Sequence, residues 1–172
     1  EEFGLVAMVS ALTGFMLIFS DLGLGQATVQ RENISHEQVS TLFWINTVFG
    51  LIVSVIVAAL TPILVWFYNE PRLVWINLVL SAGFIFAGLT IQHQAILQRQ
   101  LRMGVLSMVN IVVAVLSVVV SLIALLLGAG VWAIVAGILS EGITRMAVVW
   151  IACRWRPGLP NALRDIRSMI AF

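Results

Sequence analysis

One long uncharged stretch constrains this chain most: no charged residue occurs between Glu37 and Glu70. A helix crosses the roughly 30 Å hydrocarbon core of a bilayer with about 20 apolar residues, so this stretch is long enough to span it. Trp44 stands near one end of the stretch and Trp66 near the other. A helix rises about 33 Å between these two positions at ~1.5 Å per residue, which places an aromatic side chain at each membrane interface. The stretch therefore predicts a membrane-spanning helix.

The rest of the chain repeats this pattern. Hydrophobic residues make up 61% of it and charged residues 10%, whereas an ordinary globular domain has about 25% charged residues. The predicted fold class is an all-α integral membrane protein, a polytopic helical bundle. Five spans are expected, each bounded by polar or turn-forming residues, over 3–26, 39–67, 73–96, 103–127 and 131–152. Residues 1–153 would form the bundle, and residues 154–172 a cytoplasmic connector followed by the start of another helix.

The arginines predict the orientation of these spans. All nine cationic residues are arginines, and with five crossings the loops on one side carry all but two of them: Arg31, Arg99, Arg102, Arg154, Arg156, Arg164 and Arg167. Arg72 falls on the other side and Arg145 within a span. The positive-inside rule then makes the first side cytoplasmic and places the N-terminus outside. A net charge of +1 without a basic block argues against a nucleic-acid partner.

Two charged residues lie within the last predicted span. Glu141 and Arg145 are four residues apart, so they share one helix face and can pair. Ionisable groups inside a membrane are costly and usually face a bundle interior or an aqueous cavity. Two interpretations stay open: a structural ion pair that lets the helix insert, or an arginine that contacts an anionic substrate while the glutamate orients it.

Other polar residues have simpler expected roles. Asp21, beside two glycines, is expected to pack or hydrogen-bond at a helix end, with ion coupling as the alternative. Gln94, Gln98 and Arg102 recur every four residues and predict a polar helical stripe at the cytoplasmic end. His93 has no Cys or carboxylate partner at ligand spacing, so neither a metal site nor a cofactor is expected.

Small residues and one proline predict how the helices pack. Gly83 with Ala87, Ser117 with Ser121, and Ala133 with Gly137 are pairs spaced four apart that favour close helix approach. Pro62 predicts a kink or end near the outer interface. The segment Gly128-Ala-Gly130 predicts a tight hairpin between the last two spans.

Several short segments together resemble one protein family. They are EFGL at 2–5, DLGLGQA at 21–27, QR at 30–31, STLFWIN at 40–46, QR at 98–99, GAGVW at 128–132 and RWRP at 154–157. Their order and spacing resemble the polysaccharide-biosynthesis flippases of the multidrug/oligosaccharidyl-lipid/polysaccharide superfamily. The resemblance implies two six-helix lobes, of which this chain would supply spans two to six of the first.

The resemblance also implies a function in the bacterial inner membrane. Such proteins carry undecaprenyl-diphosphate-linked oligosaccharide across the bilayer by alternating access, in contact with membrane lipids and other polysaccharide assembly proteins. Arg145, Arg31 and Arg99 become candidates for contacting the headgroup, and Asp21 and Glu141 for ion coupling or for orienting those arginines. This activity involves no catalytic residue, so the protein is not expected to be an enzyme.

Three alternatives stay open. An ion-coupled multidrug exporter of the same superfamily would need carboxylates that bind a cation. A membrane-embedded polysaccharide polymerase or ligase would need a large extramembrane loop or a clustered nucleophile and base, which the spacing does not favour. A structural membrane subunit would leave Arg145 unexplained.

Overall fold

The computed structural model describes residues 24–30 and 34–158, together with Gly4 and Gly14. In this part the chain forms seven helices: α1 (Leu24–Gln30), α2 (His36–Ala59), α3 (Thr61–Tyr68), α4 (Leu73–Ser81), α5 (Gly83–Arg99), α6 (Met103–Leu126) and α7 (Val131–Ala152). A capping box begins α2. The Ser35 hydroxyl accepts a hydrogen bond from the backbone N–H of Gln38, and the Gln38 side-chain oxygen accepts one from the backbone N–H of Ser35.

Four segments of the described residues are long and apolar enough to cross a membrane. They are His36–Tyr68, Leu73–Arg99, Met103–Leu126 and Val131–Ala152. They confirm the polytopic all-α fold class and four of the five predicted spans. Most of the remaining predicted span, 3–26, lies outside the described residues. Its last residues lie in α1, which continues past residue 26 to Gln30.

The second span is interrupted between α2 and α3, just before Pro62, which confirms the predicted break. Proline has no N–H and leaves a carbonyl of the preceding turn unpaired. The Thr61 hydroxyl donates to the carbonyl of Ala58 at 2.6 Å, and the Asn77 amide of α4 donates to the carbonyl of Val57 at 2.8 Å. Side chains therefore satisfy the carbonyl groups at a break where hydrocarbon offers no donor.

Helices α2 and α5 cross where two glycines face each other. A Cβ atom on Gly50 would lie 2.6 Å from the carbonyl oxygen of Phe84, and one on Gly88 would lie 2.7 Å from that of Asn46. Real side chains do not approach backbone this closely, so only glycine fits at either position. The crossing was not predicted, because Gly88 has Phe84 and Gln92 four positions away and the pair Gly50 with Ser54 was not singled out.

Helices α6 and α7 form the predicted hairpin, with positive φ angles at Gly128 (79°) and Gly130 (55°) in the turn. A Cβ on Gly137 would overlap the hydroxyl of Ser121, so these predicted small residues do allow close approach. The prediction is wrong for Gly83, because nothing lies within 4 Å of a Cβ built there.

The connections between helices define two ends of the bundle. The end that carries Arg99, Arg102, Arg154 and Arg156, here called the arginine-rich end, contains the end of α5 and of α7. Arg102 donates to the carbonyl of Ala152 at 3.4 Å. The predicted polar stripe is wrong at its last member, because α5 ends at Arg99 and Arg102 lies beyond the helix.

Candidate functional site

A cavity of about 320 Å³ opens on one side of the bundle between α5 and α7. Its volume is near the lower limit of the roughly 300–1,000 Å³ that small-molecule sites occupy. Apolar side chains form much of the wall: Leu80, Phe84, Phe86, Ile91 and Ile138. Four polar side chains also line it: Thr90, Gln94, Glu141 and Arg145.

The predicted ion pair lies in this cavity. Arg145 Nη2 is 3.0 Å from Glu141 Oε1, within one face of α7, which confirms the predicted pairing. Arg145 Nη1 also donates to Asn110 Oδ1 of α6 at 2.7 Å. Two helices therefore orient the guanidinium group. A substrate contact by Arg145 stays a prediction.

The contribution of Asn110 was missed. It is the one side-chain amide in the span Met103–Leu126, and an amide in an apolar span is a signal that sequence reasoning could have used. The signal does not reveal the partner, because Asn110 and Arg145 are 35 residues apart and meet only through the packing of α6 on α7.

The polar side chains of the cavity wall are concentrated toward one end of the bundle axis, with the apolar Ile91 among them. Both α5 and α7 run toward the arginine-rich end. Leu80 and Ile138 come early in this direction, whereas Gln94 and Arg145 come late. The cavity is thus polar toward the arginine-rich end and apolar toward the opposite end, an arrangement that suits an amphiphilic ligand.

Arg99, the one other predicted site residue in the described part of the chain, does not line this cavity. Arg99 donates from Nη1 to the carbonyl of Thr28 on α1 at 3.1 Å. Asp21 and Arg31 lie outside the described residues. Of the five candidates, the structure brings together Glu141 and Arg145.

An aromatic cluster occupies the core near the arginine-rich end. His93 is fully buried, and its ring stacks on Trp150 with centroids 4.4 Å apart. Phe43 and Trp155 meet the same imidazole edge-on at 5.7 and 5.2 Å. His93 therefore packs as part of the core. Its burial was not evident from the sequence, because a histidine near a helix end is equally suited to an interface.

The segment after α7 folds back onto α2. The N–H of Gly158 donates to the Ser40 hydroxyl at 3.0 Å, and Trp44 Nε1 donates to the carbonyl of Gly158 at 2.9 Å. Arg156 Nη1 donates to the carbonyl of Trp150 at 3.0 Å and thereby caps the end of α7. The predicted domain boundary at residue 153 stays a prediction, although the helix does end at Ala152.

The polytopic bundle and its membrane-embedded ion pair can be compared with known proteins. A family model described as polysaccharide biosynthesis protein matches residues 1–172. The chain belongs to the polysaccharide biosynthesis protein family. This membership confirms the resemblance carried by the short segments.

Several similar proteins have names that describe their roles. Teichuronic acid biosynthesis protein TuaB of Bacillus subtilis is 31% identical over 165 residues, covering 93% of this chain and 34% of the relative. Lipopolysaccharide biosynthesis protein WzxC of Escherichia coli is 28% identical over 110 residues, covering 64% of this chain and 22% of the relative. Succinoglycan biosynthesis transport protein ExoT of Rhizobium meliloti is 22% identical over 175 residues, covering 100% of this chain and 35% of the relative. The chain thus spans about a third or less of these relatives, and no solved structure matches it significantly.

Proposed function

We propose that this chain is part of a transporter that moves undecaprenyl-diphosphate-linked oligosaccharide across the bacterial inner membrane. The cavity between α5 and α7, with the Arg145–Glu141 pair in its wall, is the observation that carries this proposal. The names of the relatives support it, because they connect the family with polysaccharide biosynthesis and, for one member, with transport.

The substrate itself explains why such a cavity is needed. A diphosphate-linked sugar cannot enter hydrocarbon alone, because unpaired polar and charged groups there cost several kcal/mol each. A protein lowers this cost by offering hydrogen-bonding groups at membrane depth while the lipid tail stays in the bilayer. Gln94 and Arg145 offer such groups, and Leu80 and Ile138 continue the same cavity as an apolar wall.

Movement of the headgroup follows from alternating access. In this scheme the cavity is exposed first to one side of the membrane and then to the other, as two helix bundles rock about a central site. By the positive-inside rule the arginine-rich end is cytoplasmic. The polar part of the cavity would then be nearest the leaflet in which the lipid-linked sugar is loaded.

Two competing functions receive less support. A multidrug exporter for cationic compounds needs an available carboxylate, and Glu141 is engaged by Arg145 at 3.0 Å. A polymerase or ligase needs a nucleophile with an adjacent base. The polar residues described in this cavity do not offer that arrangement, because Glu141 is already paired with a cation.

Replacing Arg145 tests the proposal in the full-length protein. Cells that depend on it for surface polysaccharide would carry Arg145→Ala or Arg145→Lys, and the lipid-linked oligosaccharide that reaches the outer leaflet would be measured at equal membrane abundance. We expect Ala to lower translocation by more than about tenfold, and Lys to rescue it only in part, because an ammonium group lacks the planar donor set of a guanidinium.

A matched control is available in the loop between the second and third spans. Arg72→Ala removes an exposed arginine that is also close to a glutamate, Glu70, at 3.9 Å, and it should leave translocation unchanged. Normal export by both Arg145 variants would make the Glu141–Arg145 pair structural. If the wild-type protein moves no lipid-linked oligosaccharide, the proposed transport function is wrong.

A further inference from the structure

The cavity between α5 and α7 has no net formal charge among its described lining residues. Glu141 and Arg145 are the two charged side chains in its wall, and they pair at 3.0 Å. A diphosphate entering this cavity would meet the Glu141 carboxylate beside the one cation. Binding a multiply charged anion is favoured by an excess of positive charge in the site, since desolvation of the anion is costly. The charge of this wall therefore does not favour the diphosphate.

The hydrogen-bonding groups of the wall match a different ligand. Glu141 only accepts hydrogen bonds, Arg145 only donates them, and the Gln94 amide does both. Thr90 donates its hydroxyl proton to the Phe86 carbonyl at 2.6 Å, which leaves its oxygen to accept. A phosphate group accepts but does not donate, so it cannot use the acceptors. Sugar hydroxyl groups donate and accept, and can use both kinds.

Two further features fit a sugar. Planar side chains hold fixed positions: the Arg145 guanidinium is oriented by Glu141 on α7 and by Asn110 on α6. The Phe86 ring also lies in the wall and packs against Gly142. A Cβ atom built on Gly142 would lie 3.6 Å from the Phe86 side chain. An aromatic ring beside oriented donors and acceptors offers an apolar surface for the C–H groups of a sugar ring and polar partners for its hydroxyls.

We infer that this cavity binds the sugar part of the transported lipid, and that the diphosphate pairs with cations outside it. The inference rests on the proposed function and deepens it. It assigns Gln94, Glu141 and Arg145 to recognition of the saccharide, so that these residues contribute to the choice of oligosaccharide.

The test compares a lipid that carries the sugar with one that ends at the diphosphate. The first is the lipid-linked oligosaccharide that accumulates in cells lacking this protein, and the second is undecaprenyl diphosphate. Binding of each would be measured to the full-length protein in lipid nanodiscs. The variant is the double substitution Glu141→Gln with Arg145→Gln. It removes both charges, puts a polar amide group in place of each, and leaves the net charge unchanged.

We expect the double variant to bind the lipid-linked oligosaccharide about 5- to 10-fold more weakly, as expected for the loss of one or two hydrogen bonds. Its affinity for undecaprenyl diphosphate should stay within about twofold of wild type. The control double substitution Glu70→Gln with Arg72→Gln removes an ion pair of the same residue types away from the cavity. It should change neither affinity.

A second variant keeps the test decisive if the double variant does not fold. Gln94→Ala removes a cavity amide without breaking an ion pair, and it should weaken binding of the lipid-linked oligosaccharide about threefold while sparing undecaprenyl diphosphate. Equal weakening of both lipids by these variants would place the diphosphate in the cavity and overturn the inference, while leaving the proposed function intact. No change for either lipid would also overturn it. If the wild-type protein binds neither lipid, the proposed function itself fails.

Discussion

Arg145 is held in its cavity by side chains from two helices. Glu141 accepts from Nη2 at 3.0 Å and Asn110 accepts from Nη1 at 2.7 Å. A guanidinium group has five N–H donors in a rigid plane. Two fixed contacts therefore set the direction in which the remaining N–H donors of Arg145 point toward a ligand. Asn110 is therefore a positioning residue under the proposed function.

Replacing Asn110 should weaken transport through Arg145. We expect Asn110→Ala to lower translocation roughly 3- to 10-fold, the effect of one lost hydrogen bond to a charged group that is partly exposed. Ser107→Ala, an exposed polar position on the same helix, is the control and should have no effect.

A double-mutant cycle separates positioning from a structural role. Asn110→Ala should have little further effect in an Arg145→Ala background, because the group that it orients is gone. Additive effects of the two substitutions on translocation, at equal membrane abundance, would contradict the role of Asn110.

Two helices, α2 and α5, depend on glycine for their contact. Backbone atoms leave no room for a Cβ at Gly50 or Gly88, and close backbone approach is a main source of helix association in membranes. Nothing comparable surrounds Gly104 in α6, where a Cβ would meet no atom within 4 Å.

These two environments predict opposite results for the same substitution. Gly88→Ala should destabilise the protein, because α2 and α5 must separate to admit the methyl group. Gly104→Ala should be neutral or stabilising by up to about 1 kcal/mol, because alanine has the higher helix propensity. Thermal unfolding of both variants in detergent checks this. A melting temperature for Gly88→Ala equal to that of wild type would show that the crossing tolerates a side chain.

Across the molecule, the arginines divide the bundle into two unlike ends. Arg99, Arg102, Arg154 and Arg156 lie at one end, whereas the turn that contains Arg72 lies at the other. The positive-inside rule predicts that the arginine-rich end is cytoplasmic. This orientation also decides which side of the membrane is nearest the polar part of the cavity.

Cysteine labelling in intact cells tests the orientation. The native Cys153 is buried and would be replaced by alanine, after which Pro71→Cys or Gln100→Cys would be introduced at exposed positions on opposite ends. A membrane-impermeant maleimide should label the cysteine at 71, and the one at 100 only after the cells are opened. The reverse pattern would invert the topology and with it the proposed direction of loading.

Local patterns in the sequence predicted much of this architecture. The four spans, the break before Pro62 and the α6–α7 hairpin follow from hydropathy, proline and glycine, each of which acts on its own neighbourhood. The Glu141–Arg145 pair was also predicted, because both residues lie on one helix and its 3.6-residue period brings them together.

Contacts between helices required the three-dimensional arrangement. Spans that are apolar on nearly every face carry little record of which face meets which neighbour. The Gly50–Gly88 crossing, the donation from Arg145 to Asn110 and the separation of Arg99 from the cavity all depend on how each helix is rotated about its axis. That rotation is set by the packing of side chains far apart in the chain, so the cavity could be assembled only from the folded bundle.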